Sequence, residues 1–540
     1  MAPPVAFVAV FFCYPVVAIT GRGLREGGGW RLGHAADVLT DPDVLGVLWF
    51  TVWQAAASTA LTLALALPGA YVFARLDFRG KRLLHAAVTV PFVLPTVVTG
   101  AAFLALLGRG GLLDDLWGVR LDEGVWAILL AHAFFNYAVV VRLVGGLWAQ
   151  LDPRQEEAAR TLGAGAFAAW RRVTLPALVP SVAAAAAMVF LFTFTSFGTI
   201  QILGGPRTTT LEVEIYRQTA ELLDLPTAAV LTLLQLAAVA TLLAGHAALT
   251  RRAESALRLV DADRTAHRPR GTGERALLGG VLAVLAVLLL LPLAVLVERS
   301  LSTPEGYGLG NYRALTSTEG GTFLVAPWEA IGNSLRFAAV ATLVAVAVGG
   351  LAAAALTRVT GPGAGRLVRG FDALLMLPLG TSAVTVGFGF LIALDEPPLD
   401  LRSSWILVPL AQALVAVPFV VRTMLPVLRA IDHRLREAAA VLGASPARAW
   451  REVDLPLVWR ALLVAAGFAF AVSLGEFGAT VFIARADAPT LPVAVARLLG
   501  RAGQLNYGQA MALSTILMVL CAATLLALER IRPPRAGELV

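Results

Sequence analysis

The chain has 540 residues, of which 58% are hydrophobic and 15% are charged, and its formal net charge is +7. Average soluble domains are about 45–50% apolar and about 25% charged, so this composition excludes an ordinary soluble domain and an intrinsically disordered chain. Two cysteines are too few for a disulfide scaffold. The basic residues lie between apolar segments, which indicates membrane topology and not a nucleic-acid partner. The sequence therefore predicts an all-α polytopic membrane protein.

About twelve apolar segments are long enough to cross a bilayer, which takes roughly 20 residues in a helix. In chain order they are centred near Val10, Leu61, Val97, Leu130, Phe190, Leu236, Leu285, Val344, Val384, Val415, Phe468 and Val519. With both termini in the cytoplasm, the loops on that side carry 29 basic and 14 acidic residues, against 14 and 22 elsewhere. The positive-inside rule favours this orientation, in the cytoplasmic membrane.

An internal repeat divides the chain. The string EAARTLGAGAFAAWRRVTLP, which begins at Glu157, recurs as EAAAVLGASPARAWREVDLP from Glu437, at an offset of 280 residues. Each half has about six spans, so the halves have the same orientation, as parallel repeats about an axis along the membrane normal. We expect a first half over residues 1–250, a polar, Arg-rich cytoplasmic linker over 251–275 and a second half over 276–540.

The repeated string lies in a long loop, residues 152–176 in the first half and 432–456 in the second. Acidic residues at its start suit the dipole of a short helix, and Gly163 is placed to end that helix. Small side chains leave a flat face that would fit the groove of another protein. A solvated connector is the alternative, and two copies with the same spacing argue against it.

These motifs resemble the EAA loop of ABC-type importer permeases, and the resemblance covers nearly the whole chain. In that family the loop carries the coupling helix that docks on an ATP-binding subunit. The resemblance therefore implies a coupling role for Glu157, Ala158, Ala159 and Gly163, and for Glu437, Ala438, Ala439 and Gly443.

The segments FTFTSFGTIQILGGPRTTTLEVEIYRQ and VSLGEFGATVFIARADAPTLPVAVARLLGR are similar to the fused permeases for ferric iron and thiamine. The string SLGEFGAT also resembles molybdate and sulfate permeases. The substrate therefore stays open between ferric iron and thiamine, with a molybdate- or sulfate-type anion as the alternative. A secondary transporter driven by an ion gradient is a further alternative, but it would leave the doubled loop unexplained.

The chain has no energy-transducing site of its own. A phosphate-binding P-loop needs G-x-x-x-x-G-K-[ST], and the single lysine, Lys81, is followed by Arg82. No histidines have metal-ligand spacing. For His132, inside a span, the preferred interpretation is a packed, hydrogen-bonded side chain, and a functional role is the alternative. We expect no catalytic site, metal or cofactor, and an ATP-binding partner in two copies, one for each loop.

The substrate pathway is predicted from polar residues inside spans. Glu476 stands deep in the eleventh span, where a carboxylate is costly and indicates a function. It either lines the pathway or makes a structural hydrogen bond between helices. Its repeat partner Ser196, with Ser473 and Thr385, completes the candidate set. The same two alternatives hold for four further polar residues, Thr193, Thr195, Thr381 and Ser382.

Two predicted outer loops, residues 204–226 and 485–507, are expected to contact a partner. In the family that the chain resembles, an extracytoplasmic substrate-binding protein delivers its cargo there. Glu212, Glu214 and Arg217 are candidates for this docking, and the preferred alternative is that they are solvated charges.

Overall fold

The computed structural model describes residues 2–26, 29–30, 32–118, 121, 124–205, 208–253, 265–317, 324–358, 364–395 and 399–531. In this part of the chain eleven helices are long and apolar enough to cross a membrane: Ala2–Arg22, Pro42–Arg75, Thr96–Trp117, Val125–Gln150, Ala166–Phe194, Leu225–Gly245, Gly271–Leu301, Glu329–Thr357, Leu407–Ala430, Pro446–Gly475 and Gln504–Leu528. A further pair, Val368–Pro378 and Ala383–Ala393, is bent by 88° and counts as a twelfth span if taken together. Every predicted segment falls on one of these, which confirms the all-α fold.

Helices account for nearly all the regular structure of the described residues. In chain order they are α1 (Ala2–Val8), α2 (Tyr14–Leu24), α3 (Leu32–Thr40), α4 (Pro42–Arg75), α5 (Lys81–Val93), α6 (Thr96–Leu107), α7 (Leu112–Trp117), α8 (Val125–Gln150), α9 (Arg154–Thr161), α10 (Ala166–Ala169), α11 (Leu175–Phe194), α12 (Gly198–Leu203), α13 (Leu211–Ala220), α14 (Leu225–Ala253), α15 (Gly271–Leu285), α16 (Leu291–Leu301), α17 (Gly310–Arg313), α18 (Glu329–Arg358), α19 (Ala364–Gly380), α20 (Ala383–Ala393), α21 (Leu407–Ala430), α22 (His433–Val441), α23 (Pro446–Ala449), α24 (Leu455–Gly475), α25 (Thr480–Ile483), α26 (Leu491–Leu499) and α27 (Gln504–Ile531).

In the described residues, wide π-helical turns interrupt four of the long helices, each just before an X-Pro pair. They are Ala9–Cys13, Trp170–Thr174, Ala286–Leu290 and Trp450–Asp454, and the prolines are Pro15, Pro176, Pro292 and Pro456. Proline has no N–H for the carbonyl four residues earlier. In each case the residue before the proline donates its N–H to the carbonyl five residues back instead. The wider turn thus gives the N–H of the residue before each proline a backbone partner.

A two-stranded antiparallel hairpin follows the opening span of each half. In the first, β1 (Arg25–Glu26) pairs with β2 (Gly29–Trp30). In the second, β3 (Ser302–Thr303) pairs with β4 (Gly306–Tyr307). The two hairpins are 277 residues apart, so the repeat extends to these connections as well as to the spans.

The helices form two compact units that do not follow chain order. One contains residues 1–38, 215–234 and 300–540, and the other contains residues 39–214 and 235–299. The opening helices α1 and α2 thus belong to the unit built mainly from the second half, and α15 and α16 belong to the other. In the first unit, Phe7, Val8 and Phe12 join a core that includes α18, α20 and α21. Each half contributes its opening span to the other half's core.

The end of the predicted linker is part of the unit that holds residues 39–214. Residues 254–264 lie outside the described part of the chain. Beyond them, the N–H of His267 donates to the carbonyl of Arg75 at 2.9 Å, and its carbonyl accepts the N–H of Asp77 at 2.8 Å. The Thr265 hydroxyl donates to the carbonyl of Ala149 at 2.6 Å. These bonds fix the segment to the final turns of α4 and α8.

Helices α4 and α8 meet at a glycine. A Cβ built on Gly69 would overlap the phenol of Tyr137, and Tyr137 is fully buried. The equivalent positions of the second half carry Ala352 and Val417. In each half the pair therefore combines a small residue on the first helix with a larger residue on the second.

We expect Gly69→Ala to destabilise the protein by about 1–3 kcal/mol, the usual effect of overpacking a close contact. Thermal unfolding of the purified chain in detergent measures this loss. Adding Tyr137→Val, which reproduces the pair of the second half, is expected to restore most of the unfolding temperature. A double variant no more stable than Gly69→Ala would contradict the packing argument.

Candidate functional site

The two EAA loops have the same backbone design. Asp152 and Asp432 each accept a hydrogen bond from the backbone N–H two residues later, at 3.0 Å in both, and so begin the short helices α9 and α22. The helices end at Gly163 and Gly443, whose φ angles are +92° and +81°. The N–H of the next residue reaches the carbonyl five residues back in both loops, at 3.1 and 2.9 Å. This is a Schellman cap, so the predicted role of Gly163 in ending the helix is confirmed.

Apolar side chains on these loops face solvent. Leu162 is 89% exposed, and its repeat partner Leu442 is 87% exposed. Phe167 and Val441 are also exposed, at 70% and 87%. Large apolar side chains grouped on a short, structured loop are typical of a surface that binds another protein.

Six of the residues that the resemblance implies for coupling lie in α9 and α22, and Gly163 and Gly443 follow these helices. Six of the eight are exposed, namely Glu157, Ala158, Gly163, Glu437, Ala438 and Gly443, and two are half-buried, Ala159 and Ala439. The structure therefore places the eight residues in two repeat-related segments whose exposed side a partner can reach.

Glu476 lies at the break between α24 and α25. Its Oε1 accepts the N–H of Ala479 at 2.7 Å and its Oε2 accepts the N–H of Thr480 at 3.0 Å. The Thr480 hydroxyl donates in return to the carbonyl of Glu476 at 2.9 Å. The side chain is 7% exposed. The carboxylate thus caps the amides that begin α25, a local bond that neither of the two sequence interpretations described.

The first half uses different chemistry at this break. The hydroxyl of Ser196 lies 2.9 Å from Nε2 of His132, and Nδ1 of His132 lies 3.0 Å from the hydroxyl of Ser58. All three residues are buried, and they join α4 and α8 to the segment after α11. His132 is therefore a packed, hydrogen-bonded side chain, as interpreted from the sequence. Ser58 was missed, because a serine inside an apolar helix gives no distinct signal.

The structure does not bring the candidate pathway residues into one cluster of hydrogen bonds. Ser473 and Thr385 are buried, and neither hydroxyl has a hydrogen-bond partner among the residues that the structure describes. Helix α20 approaches the break near Glu476 through Ala383 and Gly387, which lie against Gly478 and Ala479.

Most of the other polar residues bond locally. The hydroxyls of Thr193, Thr195 and Thr381 each donate to a carbonyl of their own helix turn, and the hydroxyl of Ser382 caps α20. Within the described residues, no group of three or more His, Cys, Asp or Glu side chains could hold a metal ion.

Charges in the two predicted outer loops have unequal environments. Glu212 is fully buried and accepts a 2.8 Å hydrogen bond from Gln235, and Glu214 is 7% exposed. The interpretation of these two as solvated or docking charges is wrong, because α13 packs its acidic face inward; Arg217 is exposed.

The segment 485–507 begins with an exposed ion pair. Arg485 donates to both carboxylate oxygens of Asp487, at 2.9 and 2.7 Å. These hydrogen bonds hold the pKa of Asp487 below its ordinary value.

One further repeated contact escaped the sequence interpretation. The hydroxyl of Thr51 accepts the N–H of Leu211 at 2.9 Å, and the hydroxyl of Ser334 accepts the N–H of Leu491 at 2.7 Å. Both hydroxyls are buried, and each caps the short helix, α13 or α26, that follows the repeated Thr-Leu pair. Only a 283-residue offset aligns Thr51 with Ser334, so the 280-residue repeat did not reveal the pair.

Comparison with known proteins agrees with this architecture. Residues 66–255 match the family described as "binding-protein-dependent transport system inner membrane component". The thiamine transport system permease protein ThiP of Brucella abortus (strain 2308) is 30% identical over 95% of this chain and 92% of its own length. ThiP of Escherichia coli (strain K12) is 28% identical over 90% of this chain and 88% of its own length.

A shorter relative matches a single half. The molybdenum transport system permease protein ModB of Mycobacterium bovis (strain ATCC BAA-935 / AF2122/97) is 34% identical over 43% of this chain and 88% of its own length. The similarity to the ThiP proteins, by contrast, runs through both halves, and the apolar helices make the chain an integral membrane protein. The chain belongs to the permease family of binding-protein-dependent ABC importers, in the group that includes the thiamine permeases.

Proposed function

We propose that this protein is the translocation subunit of an ABC importer for thiamine. The observation that carries the proposal is the match to thiamine permeases over 95% of the chain, through both halves and the linker. The molybdenum permease matches 43% of the chain. Its similarity supports the architecture of a permease half and does not identify the substrate. Ferric iron, the other sequence-based candidate, is tested beside thiamine in the experiment below.

The energy for import comes from a separate ATP-binding subunit. The chain carries no G-x-x-x-x-G-K-[ST] sequence, and it exposes two repeat-related loops with apolar tips at Leu162 and Leu442. Two copies of one ATPase, one on loop 152–176 and one on loop 432–456, match this repeated surface. ATP binding draws the loops together, and hydrolysis resets them.

Both termini and both EAA loops lie on the cytoplasmic side in this proposal, in line with the excess of arginine there. A substrate-binding protein then docks on the opposite face, on segments 204–226 and 485–507. We propose the permease halves as residues 1–250 and 276–540, joined by the linker 251–275, and Ser196, Ser473, Thr385 and Glu476 as positions on the substrate pathway.

Uptake of labelled thiamine tests the proposal in thiamine-starved cells with and without the gene. We expect uptake to fall to background on deletion and to return when the full chain is supplied. ATP depletion is expected to abolish uptake, whereas an uncoupler that leaves ATP intact is not. Labelled ferric iron and molybdate, tested in the same strains, are the matched controls.

Each outcome separates the alternatives. Loss of iron or molybdate uptake with thiamine uptake intact would overturn the substrate. Uptake that survives ATP depletion and collapses with the uncoupler would instead favour an ion-coupled secondary transporter.

A further inference from the structure

In each half a side-chain pair joins the coupling helix to the span that follows it. In the first half the hydroxyl of Thr174 donates to Oε2 of Glu156 at 2.7 Å. In the second half Nε of Arg436 donates to Oδ1 of Asp454 at 2.7 Å. Glu156 and Arg436 are repeat partners at the offset of 280, and so are Thr174 and Asp454. Both halves therefore have a side-chain contact at the same two aligned positions, although the residue types at both positions differ.

The pair joins two specific points of the chain. Glu156 and Arg436 stand in α9 and α22, one residue before the coupling glutamates. Thr174 and Asp454 are the last residues of the π-helical turns that precede α11 and α24. The pair therefore links the short helix offered to a partner with the base of a membrane span, across the α10 or α23 turn between them.

The two members of each pair differ in how far they are buried. Thr174 is 6% exposed and the Asp454 side chain 1%, so the member on the span is inside the protein. Arg436 keeps a side-chain exposure of 25%, and Glu156 is half-buried. A hydrogen bond of this kind, shielded from water at one end, constrains the position of the coupling helix more strongly than an exposed ion pair.

The loops offer few other side-chain bonds of this length. Among the contacts of the described residues, the ion pairs of α22 and α23 to His433 and Glu452 are 3.5–4.0 Å long, and both partners are largely exposed. Such pairs add little stability. The pairs Glu156–Thr174 and Arg436–Asp454 are therefore better placed than these exposed ion pairs to transmit movement of the coupling helix.

We infer that Glu156–Thr174 and Arg436–Asp454 are equivalent positioning pairs that make each coupling helix move with the span that follows it. The inference rests on the proposed function and names residues outside the EAA motif. It requires the geometry of the bond and not its charge, because the first half uses a hydroxyl where the second uses an ion pair. Breaking a pair leaves the ATPase bound but lets the coupling helix move without its span.

The test uses the full chain, co-purified with its ATPase and reconstituted in proteoliposomes with its binding protein and labelled thiamine. Thr174→Val removes the donor with little change of volume and no change of charge. We expect the ATPase to co-purify in normal amount and the number of ATP molecules hydrolysed per thiamine imported to rise about fivefold, the factor of one net hydrogen bond. Arg436→Ala is expected to do the same or worse, because it removes a charged hydrogen-bond donor from the buried Asp454 carboxylate.

The most discriminating variant replaces the residue pair of the second half by that of the first. Arg436→Glu with Asp454→Thr gives the second half the pair of the first, and we expect its ATP-to-thiamine ratio to return to within about twofold of the wild type. A wild-type ratio in Thr174→Val would overturn the inference. So would a transplanted variant that assembles with the ATPase yet is as uncoupled as Arg436→Ala. A wild-type complex that binds no ATPase or imports no thiamine would instead refute the proposed function.

Discussion

A chain that carries both Glu157→Lys and Glu437→Lys is expected to lose ATP-dependent thiamine uptake completely, while it still accumulates in the membrane at the normal level. Both glutamates are exposed, and the Glu437 side chain is 70% accessible, so the fold does not depend on them. At a docking surface, by contrast, like charges brought together cost several kcal/mol. Uptake of labelled thiamine and co-purification of the ATPase measure the two consequences.

The same loop supplies the control. Glu452 is 57% exposed and lies beyond the coupling helix, in the π-helical turn before α24. Glu452→Lys makes the same change of charge, and we expect uptake close to the wild type. Each single reversal, at Glu157 or Glu437, leaves one loop intact and is expected to weaken uptake less than the double variant. Normal recruitment of the ATPase and normal uptake in the double variant would refute the coupling role of these loops.

The sequence was sufficient for the features that repeat or that depend on hydrophobicity. The eleven spanning helices and the bent pair of the described residues follow from apolar length, because a bilayer demands about 20 such residues whatever the helix packs against. The short helices α9 and α22 follow from the doubled EAA string, and the cap at Gly163 follows from the left-handed backbone that glycine favours. These signals are local, so a single sequence carries them.

Features that depend on contacts between distant parts of the chain could not be predicted from these local signals. The burial of Glu212 depends on Gln235, a residue 23 positions later on another helix, and no local pattern marks such a carboxylate as internal. The exchange of opening helices between the two units is likewise a matter of packing, because apolar spans are equally able to pack on either half. The positioning pair is an intermediate case, since Glu156–Thr174 and Arg436–Asp454 align in the repeat but share no residue type.

Replacing Glu476 by alanine is expected to have the largest effect of any single substitution in the second half. The change strands the buried amides of Ala479 and Thr480, and each unpaired amide costs about 1–3 kcal/mol. We expect the unfolding temperature in detergent to fall by about 5 °C or more, with thiamine uptake falling in parallel with the amount of folded protein.

Glutamine at position 476 separates the cap from a direct role in the pathway. Its amide oxygen accepts one of the two N–H groups while its NH₂ cannot accept the other, so as a cap Glu476→Gln loses about half the stability that alanine loses and keeps proportionate uptake. If the charge itself binds the thiamine cation in the pathway, Glu476→Gln instead abolishes uptake at an unchanged unfolding temperature. Ser473→Ala, three residues away, removes a buried hydroxyl that has no hydrogen-bond partner, and we expect it to leave the unfolding temperature unchanged. The local bonds of the carboxylate favour the first result, since both of its oxygens already accept backbone N–H groups and a substrate would have to compete with them.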